Sequence, residues 1–190
     1  MGDPRKLRAT YDHPSHPWQE ERIAAEKILV REYGLKNKTE LYKVNSKVKN
    51  FTAIAKRLIA SEGTQADLEK QQLFAKLQKL GVMRSTVTLD DILSLQPKDL
   101  LERRLQTILF RKGIARTIKQ SRQFISHEHI MINGKKITSP SYLVSVNEEA
   151  MIVVVATSTL SNVEHPERVA IVKKAKRPRP APRRDMKRGR

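Results

Sequence analysis

Cysteine is absent from the 190 residues. This excludes a disulfide scaffold, a thiolate zinc site, an iron–sulfur cluster and a cysteine nucleophile. Aromatic residues are scarce, at 5%. No apolar run approaches the roughly 18 residues of a membrane span. The start Met1-Gly2-Asp3-Pro4-Arg5-Lys6 has no signal-type apolar stretch behind it. A soluble, intracellular chain with no membrane partner is therefore expected. Phosphate-cradling and nucleophile-elbow patterns are missing too, so neither a cofactor nor a small-molecule substrate is expected. Acid is outnumbered: 20 Asp+Glu face 38 Lys+Arg, a formal charge of +18. A polyanion is the default partner of such a chain, and nucleic acid is the commonest one. Hydrophobic residues make up 38%, enough for a modest core in one domain or two small ones.

The excess charge is unevenly placed. Lys173 to Arg190 holds ten basic residues, one acid and three prolines. With almost nothing to bury, this tail is expected to be disordered on its own. Within the body, Arg103 to Lys136 holds nine basic residues and one acid, Glu128. A merely solvated face would intersperse the two signs.

The hydropathy pattern predicts a mixed α+β chain. Residues 1–17 read as an extended arm and residues 18–99 as a helical domain. Residues 100–160 read as a small helix–helix–hairpin–strands module, and 161–190 as a basic extension. Helices are expected over about 18–33, stopped by Gly34; over 40–60, capped by Thr39; and from Thr64 to Gly81, burying Leu68, Leu73, Leu77 and Leu80. A short helix is expected over 89–95. One continuous helix should run from Pro97 to Lys112, stopped by Gly113. Thr117-Ile118-Lys119-Gln120 resembles a capping box and opens a second helix. Asn133-Gly134 between short apolar runs predicts a two-residue hairpin. Tyr142–Val146 alternates like a strand, Asn147–Glu149 reads as a turn, and Met151–Val155 as a buried strand. Trp18 is expected to anchor the start of the first helix in the core.

The candidate contact residues are Arg103, Arg104, Arg111, Lys112, Arg116, Lys119, Arg122, Lys135 and Lys136. On helix faces away from the leucine stripe and beside a fixed turn, they would present guanidinium and ammonium groups to phosphates. Phe110 and Phe124 fit the core, so shaped RNA is a better target than stacked single strands. His13 and His16 lack further ligands for a metal. Asp90-Asp91 suits the first turn of a helix rather than acid–base chemistry.

Several segments also resemble a known family. Leu101-Glu102-Arg103-Arg104-Leu105-Gln106, Gly113-Ile114-Ala115, Ser121-Arg122-Gln123-Phe124-Ile125, His127 and Ile132-Asn133-Gly134 resemble the S-four-type RNA-binding module. The start Met1–Pro4, His16-Pro17-Trp18 and Tyr33-Gly34-Leu35-Lys36-Asn37-Lys38 resemble the archaeal form of the small-subunit ribosomal protein S-four family. The resemblance covers nearly the whole chain. It implies a non-enzymatic ribosomal protein of the cytoplasm that binds small-subunit ribosomal RNA. It further implies that the protein nucleates assembly of the subunit body and supports translational accuracy. It implies neighbouring ribosomal proteins as partners, including S-five near where messenger RNA enters. Two departures stand out. Ser121 replaces the usual alanine, and the cysteines that bind zinc in some bacterial members are absent. The competing readings are a free RNA-binding regulator and an RNA-modifying enzyme using the same module. Co-sedimentation with small subunits would separate them.

Overall fold

A computed structural model describes residues 10–83, 88–162 and 165–166. The first nine residues of the expected arm and the basic tail from Lys173 lie outside the described residues.

The first half is helical. α1 (Glu20–Glu32) and α2 (Lys38–Ala60) are joined through Gly34, whose φ of 56° is left-handed. α2 is the spine of this half: its stripe Leu41, Val44, Val48, Phe51, Ala55 and Leu58 is buried at helical spacing. α3 (Thr64–Leu80) ends at left-handed Gly81, and α4 (Leu89–Leu93) and α5 (Pro97–Glu102) follow. Tyr33, Leu35, Leu73, Leu77, Ile92, Leu95, Leu100 and Leu101 join the α2 stripe in one core. Thr88 and Asp91 form a reciprocal capping box at α4, so Asp91 serves the helix end. The second half is built on α6 (Leu105–Arg111), α7 (Ile118–Ser126) and a three-stranded antiparallel sheet, with a second core from Leu105 to Leu160. Strand order is β2 (Lys135–Lys136), β1 (Ile130–Ile132), β3 (Ile152–Val154). Ile132 pairs with Lys135 across a two-residue turn. Asn133 and Gly134 both have positive φ, 51° and 76°, as the expected hairpin requires.

Several expectations are corrected. The single helix from Pro97 to Lys112 is broken at Arg103-Arg104. There the backbone turns extended and pairs with a later segment: Leu105 N–H donates to Tyr142 O (2.8 Å) and Val144 N–H donates to Arg103 O (3.0 Å). The expected strand over Tyr142–Val146 is only this bridge. Its end is captured by a helix, α8 (Val146–Ala150), because Ser145 and Glu148 form an S-x-x-E capping box. The strand expected over Met151–Val155 is a sheet edge with Val153 outward rather than fully buried. α2 starts at Lys38, so its cap position is Asn37 rather than the expected Thr39. Leu68 faces solvent, and Ala66 takes its place in the core. Trp18 is 90% exposed. What holds the entrance to α1 is Arg22, whose guanidinium donates to His16 O and Pro17 O at 2.9 Å each.

Two glycines separate backbone strain from crowding. A Cβ on Gly34 would lie 2.7 Å from Ile118 Cγ2 and 3.2 Å from Gln106 Nε2, where the two halves meet. A Cβ on Gly134 meets nothing within 4 Å. Gly134→Ala should cost only the left-handed backbone penalty, about 1 kcal/mol. Gly34→Ala adds overpacking and should cost about 2–4 kcal/mol. Urea-unfolding curves of the two variants check this, and equal losses would contradict it.

Candidate nucleic-acid interface

The nine basic candidates separate into inward and outward groups. Arg104 is 2% exposed and does not lie on an outward helix face. The break before α6 swings it toward α2, where its Nη2 donates to Glu40 Oε2 at 2.8 Å. Arg122, on α7, meets the same carboxylate: Nη2 donates to Oε1 at 2.7 Å and Nη1 to Oε2 at 3.3 Å. One carboxylate on the first turn of α2 thus ties together the α5–α6 break and α7. Burial alone would raise the Glu40 pKa. The hydrogen bonds from Arg122 and Arg104, with their charges, outweigh it and hold the carboxyl below its ordinary value. Arg103 is also turned in, with Nη1 at 2.8 Å from Glu149 Oε2 and Nη2 donating to Val144 O at 3.3 Å.

The remaining candidates lie nearer solvent. Arg111 is exposed and grips Glu102 through Nη2 (2.8 Å) and Nε (3.3 Å). Tyr33 OH donates to the same Glu102 at 2.9 Å. Burial first, and then that carboxylate, push the Tyr33 pKa up to about 12. Lys112 is exposed, and its ammonium donates to Glu149 O. Arg116 is half-buried just before α7, and its backbone N–H donates to Gln120 Oε1 at 2.8 Å. Thr117 Oγ1 accepts from Gln120 N–H at 3.1 Å, so the Thr117 half of the expected capping box at the start of α7 is present. Lys119 follows in the first turn, exposed. Lys135 and Lys136 are exposed beside the hairpin turn, Lys136 at 3.6 Å from Glu128. Ser121 is fully buried, and its hydroxyl is satisfied by donating to Thr117 O at 3.3 Å.

The acids nearby are engaged within the protein. Glu102 holds Arg111 and Tyr33, Glu149 holds Arg103, and Glu148 caps α8 while accepting from Tyr142 OH at 2.9 Å. Backbone hydrogen bonding at Ser145, opposed by burial and helped by the Ser145 and Tyr142 hydroxyls, keeps the Glu148 carboxyl below its ordinary pKa. His13 is occupied by edge-on ring packing with Tyr11 and Tyr42.

This stretch matches a known domain family: residues 103–149 correspond to the S4 domain. Over 92% of its length the chain is 49% identical to "Small ribosomal subunit protein uS4" of Methanococcus aeolicus, covering 99% of that protein. It is 49% identical over 90% of its length to a protein of the same name from Methanococcus maripaludis, covering 97% of that one. The chain belongs to the uS4 family. All nine candidate residues fall inside the S4 domain, whereas Glu40, which binds two of them, lies outside it on α2. Sequence reasoning missed Glu40 because its partners are 64 and 82 positions away. The only local signal was an acid in the first turn of a helix, which a dipole argument already explains.

Removing one partner of a buried ion pair leaves an uncompensated charge. Glu40→Ala strands two guanidiniums and should cost about 3–5 kcal/mol. Arg104→Ala should also lower stability, in contrast to an outward arginine such as Arg111. Because the folded Glu40 pKa is depressed, its contribution is present above the unfolded value of 4.5 and fades as pH falls through the lower folded value. Glu40→Gln should therefore flatten the acid limb of a stability–pH profile below pH 4.5. An acid limb unchanged in that variant would contradict the assignment.

Proposed function

We propose that this protein is a non-catalytic structural constituent of the small ribosomal subunit that binds small-subunit ribosomal RNA directly, through phosphate contacts made by its S4 domain. The observation that carries the reading is the division of charge in that domain. Glu102, Glu148 and Glu149 are engaged by partners within the protein. Lys119 and Lys135 present exposed ammonium groups from a capped helix and a hairpin turn, beside exposed Lys112, whose ammonium donates to Glu149 O, and exposed Lys136, 3.6 Å from Glu128. A surplus of positive charge on a fixed surface suits a phosphate backbone. Arg111 and Arg116 extend that surface, while Arg103, Arg104 and Arg122 act chiefly by holding its elements in place. The relatives named as small ribosomal subunit proteins support the same setting. In that setting the protein works in the cytoplasm, nucleates assembly of the subunit body and supports translational accuracy. It also meets neighbouring ribosomal proteins, S-five near the messenger RNA path among them.

Each phosphate neutralised steepens the fall of log K with log salt by about 0.7–0.9. Titration of the full chain against a small-subunit ribosomal RNA transcript should show a steep slope. Lys135→Ala with Lys136→Ala should make it shallower by about 1.5 without changing the melting temperature, since both side chains are exposed. A parent slope near zero would refute phosphate-driven binding.

A further inference from the structure

α1 uses one of its faces within the fold. Leu29 and Val30 pack on the first core, and buried Glu26 is held by Arg22 (2.6 Å) and Lys38 (2.9 Å). The opposite face carries Glu21, Ala25, Ile28 and Glu32 at i, i+4, i+7 and i+11, with Ala24 beside them, and all five are exposed. Ile28 is 65% exposed. Trp18 precedes the helix and is 90% exposed, yet its loop is tied down: Arg22 donates to His16 O and Pro17 O at 2.9 Å each. An open hollow of about 480 Å3 lies here, lined by His16, Pro17, Trp18 and Gln19. Leaving an indole and a large aliphatic side chain in water forgoes the free energy of covering them. Tryptophan held in place before contact is also the residue type that anchors protein interfaces most often.

Charge decides the kind of partner. Among the described residues no salt bridge engages Glu20, Glu21 or Glu32. Glu32 adds only a distant attraction to Arg111. Exposed Lys27 and Arg31 share a neighbouring row with Glu20, so the central row holds carboxylates alone, on a chain of formal charge +18. A phosphate backbone laid along that row would meet two like charges, whereas cationic side chains would be drawn to them. We infer that the outward face of α1, with Trp18, docks a neighbouring protein of the small subunit through an apolar segment that covers Trp18 and Ile28 and sets Lys or Arg against Glu21 and Glu32. Eleven residues of helix separate the two carboxylates, so the partner's cations stand about 16 Å apart. A cation of the same segment can also rest on the indole face. The inference rests on the small-subunit reading above, and the surface lies wholly outside the S4 domain.

The test uses the full chain in assembled small subunits. Ile28 is replaced by the photocrosslinker p-benzoylphenylalanine, the subunits are irradiated, and the crosslinked peptide is sequenced. A second chain adds Glu21→Lys and Glu32→Lys, and a third adds the neutral pair Glu21→Gln and Glu32→Gln; melts confirm which fold. Trp18 is the chain's only tryptophan, so the emission of the free chain reports on it directly. Expected are a crosslink to one peptide of another protein with Lys or Arg beside apolar residues, at least ten-fold less of it after charge reversal and an intermediate loss in the neutral pair. Trp18 emission should stay unchanged when the free chain binds a small-subunit ribosomal RNA transcript. A crosslink to RNA, or quenching of Trp18 by the transcript, would put RNA on this face and overturn the inference. A crosslink to residues 1–9 of the same chain, to a second copy of it, or to nothing would overturn it as well. Equal crosslinking by the charge variants would remove the role of Glu21 and Glu32 and with it the choice of a basic partner. Each of these failures leaves the small-subunit reading standing, whereas a parent chain that never enters small subunits would sink both.

Discussion

The carboxylate of Glu40 is the constraint on which the arrangement depends. It sits in the first turn of α2 and receives Arg104 from the α5–α6 break and Arg122 from α7. Burying charge is unfavourable unless it is paired and hydrogen-bonded, and two guanidiniums on one carboxylate supply both conditions. The net energy of such a cluster is modest compared with an apolar substitute. Its effect is directional instead, because it accepts one placement of three elements and rejects others. Gly34, packed against Ile118 and Gln106, works at the same seam by allowing the backbone to come close.

That seam determines which cations face outward. Arg103 and Arg104 adjoin the end of a helix whose register alone would present them to solvent. The backbone pairing at Leu143 turns both inward, where they meet Glu149 and Glu40. The exposed set then consists mostly of lysines and of Arg111, carried on short elements whose ends are capped or stopped. A surface fixed before binding loses less entropy on meeting a rigid partner than a flexible one does.

Much of this was legible in the chain because it depends on neighbours in sequence. The helix α1 follows from its first-turn acids and Gly34, α2 from the 3.6-residue spacing of its apolar positions, and α3 from Gly81 at its end. The hairpin follows from Asn133-Gly134, since positive φ at two successive residues is a local demand. The concentration of lysine and arginine between 103 and 136 is likewise a property of the sequence, as are the motifs that resemble the S-four-type module. The α8 helix was also legible in principle. Ser145-x-x-Glu148 is a capping box, and the alternating apolar residues before it suggested a strand instead.

What only the tertiary structure decided depends on partners far along the chain. The break at Arg103-Arg104 exists because Tyr142 O accepts from Leu105 N–H and Val144 N–H donates to Arg103 O, across about forty positions, and no periodicity over 97–112 carries that information. Leu68 and Trp18 face water, while Ala66 is buried on α3 and Arg22 holds the entrance to α1. The burial of Arg104 and its pairing with Glu40 required α2 and the module to meet first. Sequence therefore determined the elements and the sign of the surface, through local geometry and composition. The sorting of its arginines into clamps and contacts was left to the packing of one half against the other, because a charged side chain's role depends on which opposite charge comes within hydrogen-bonding distance.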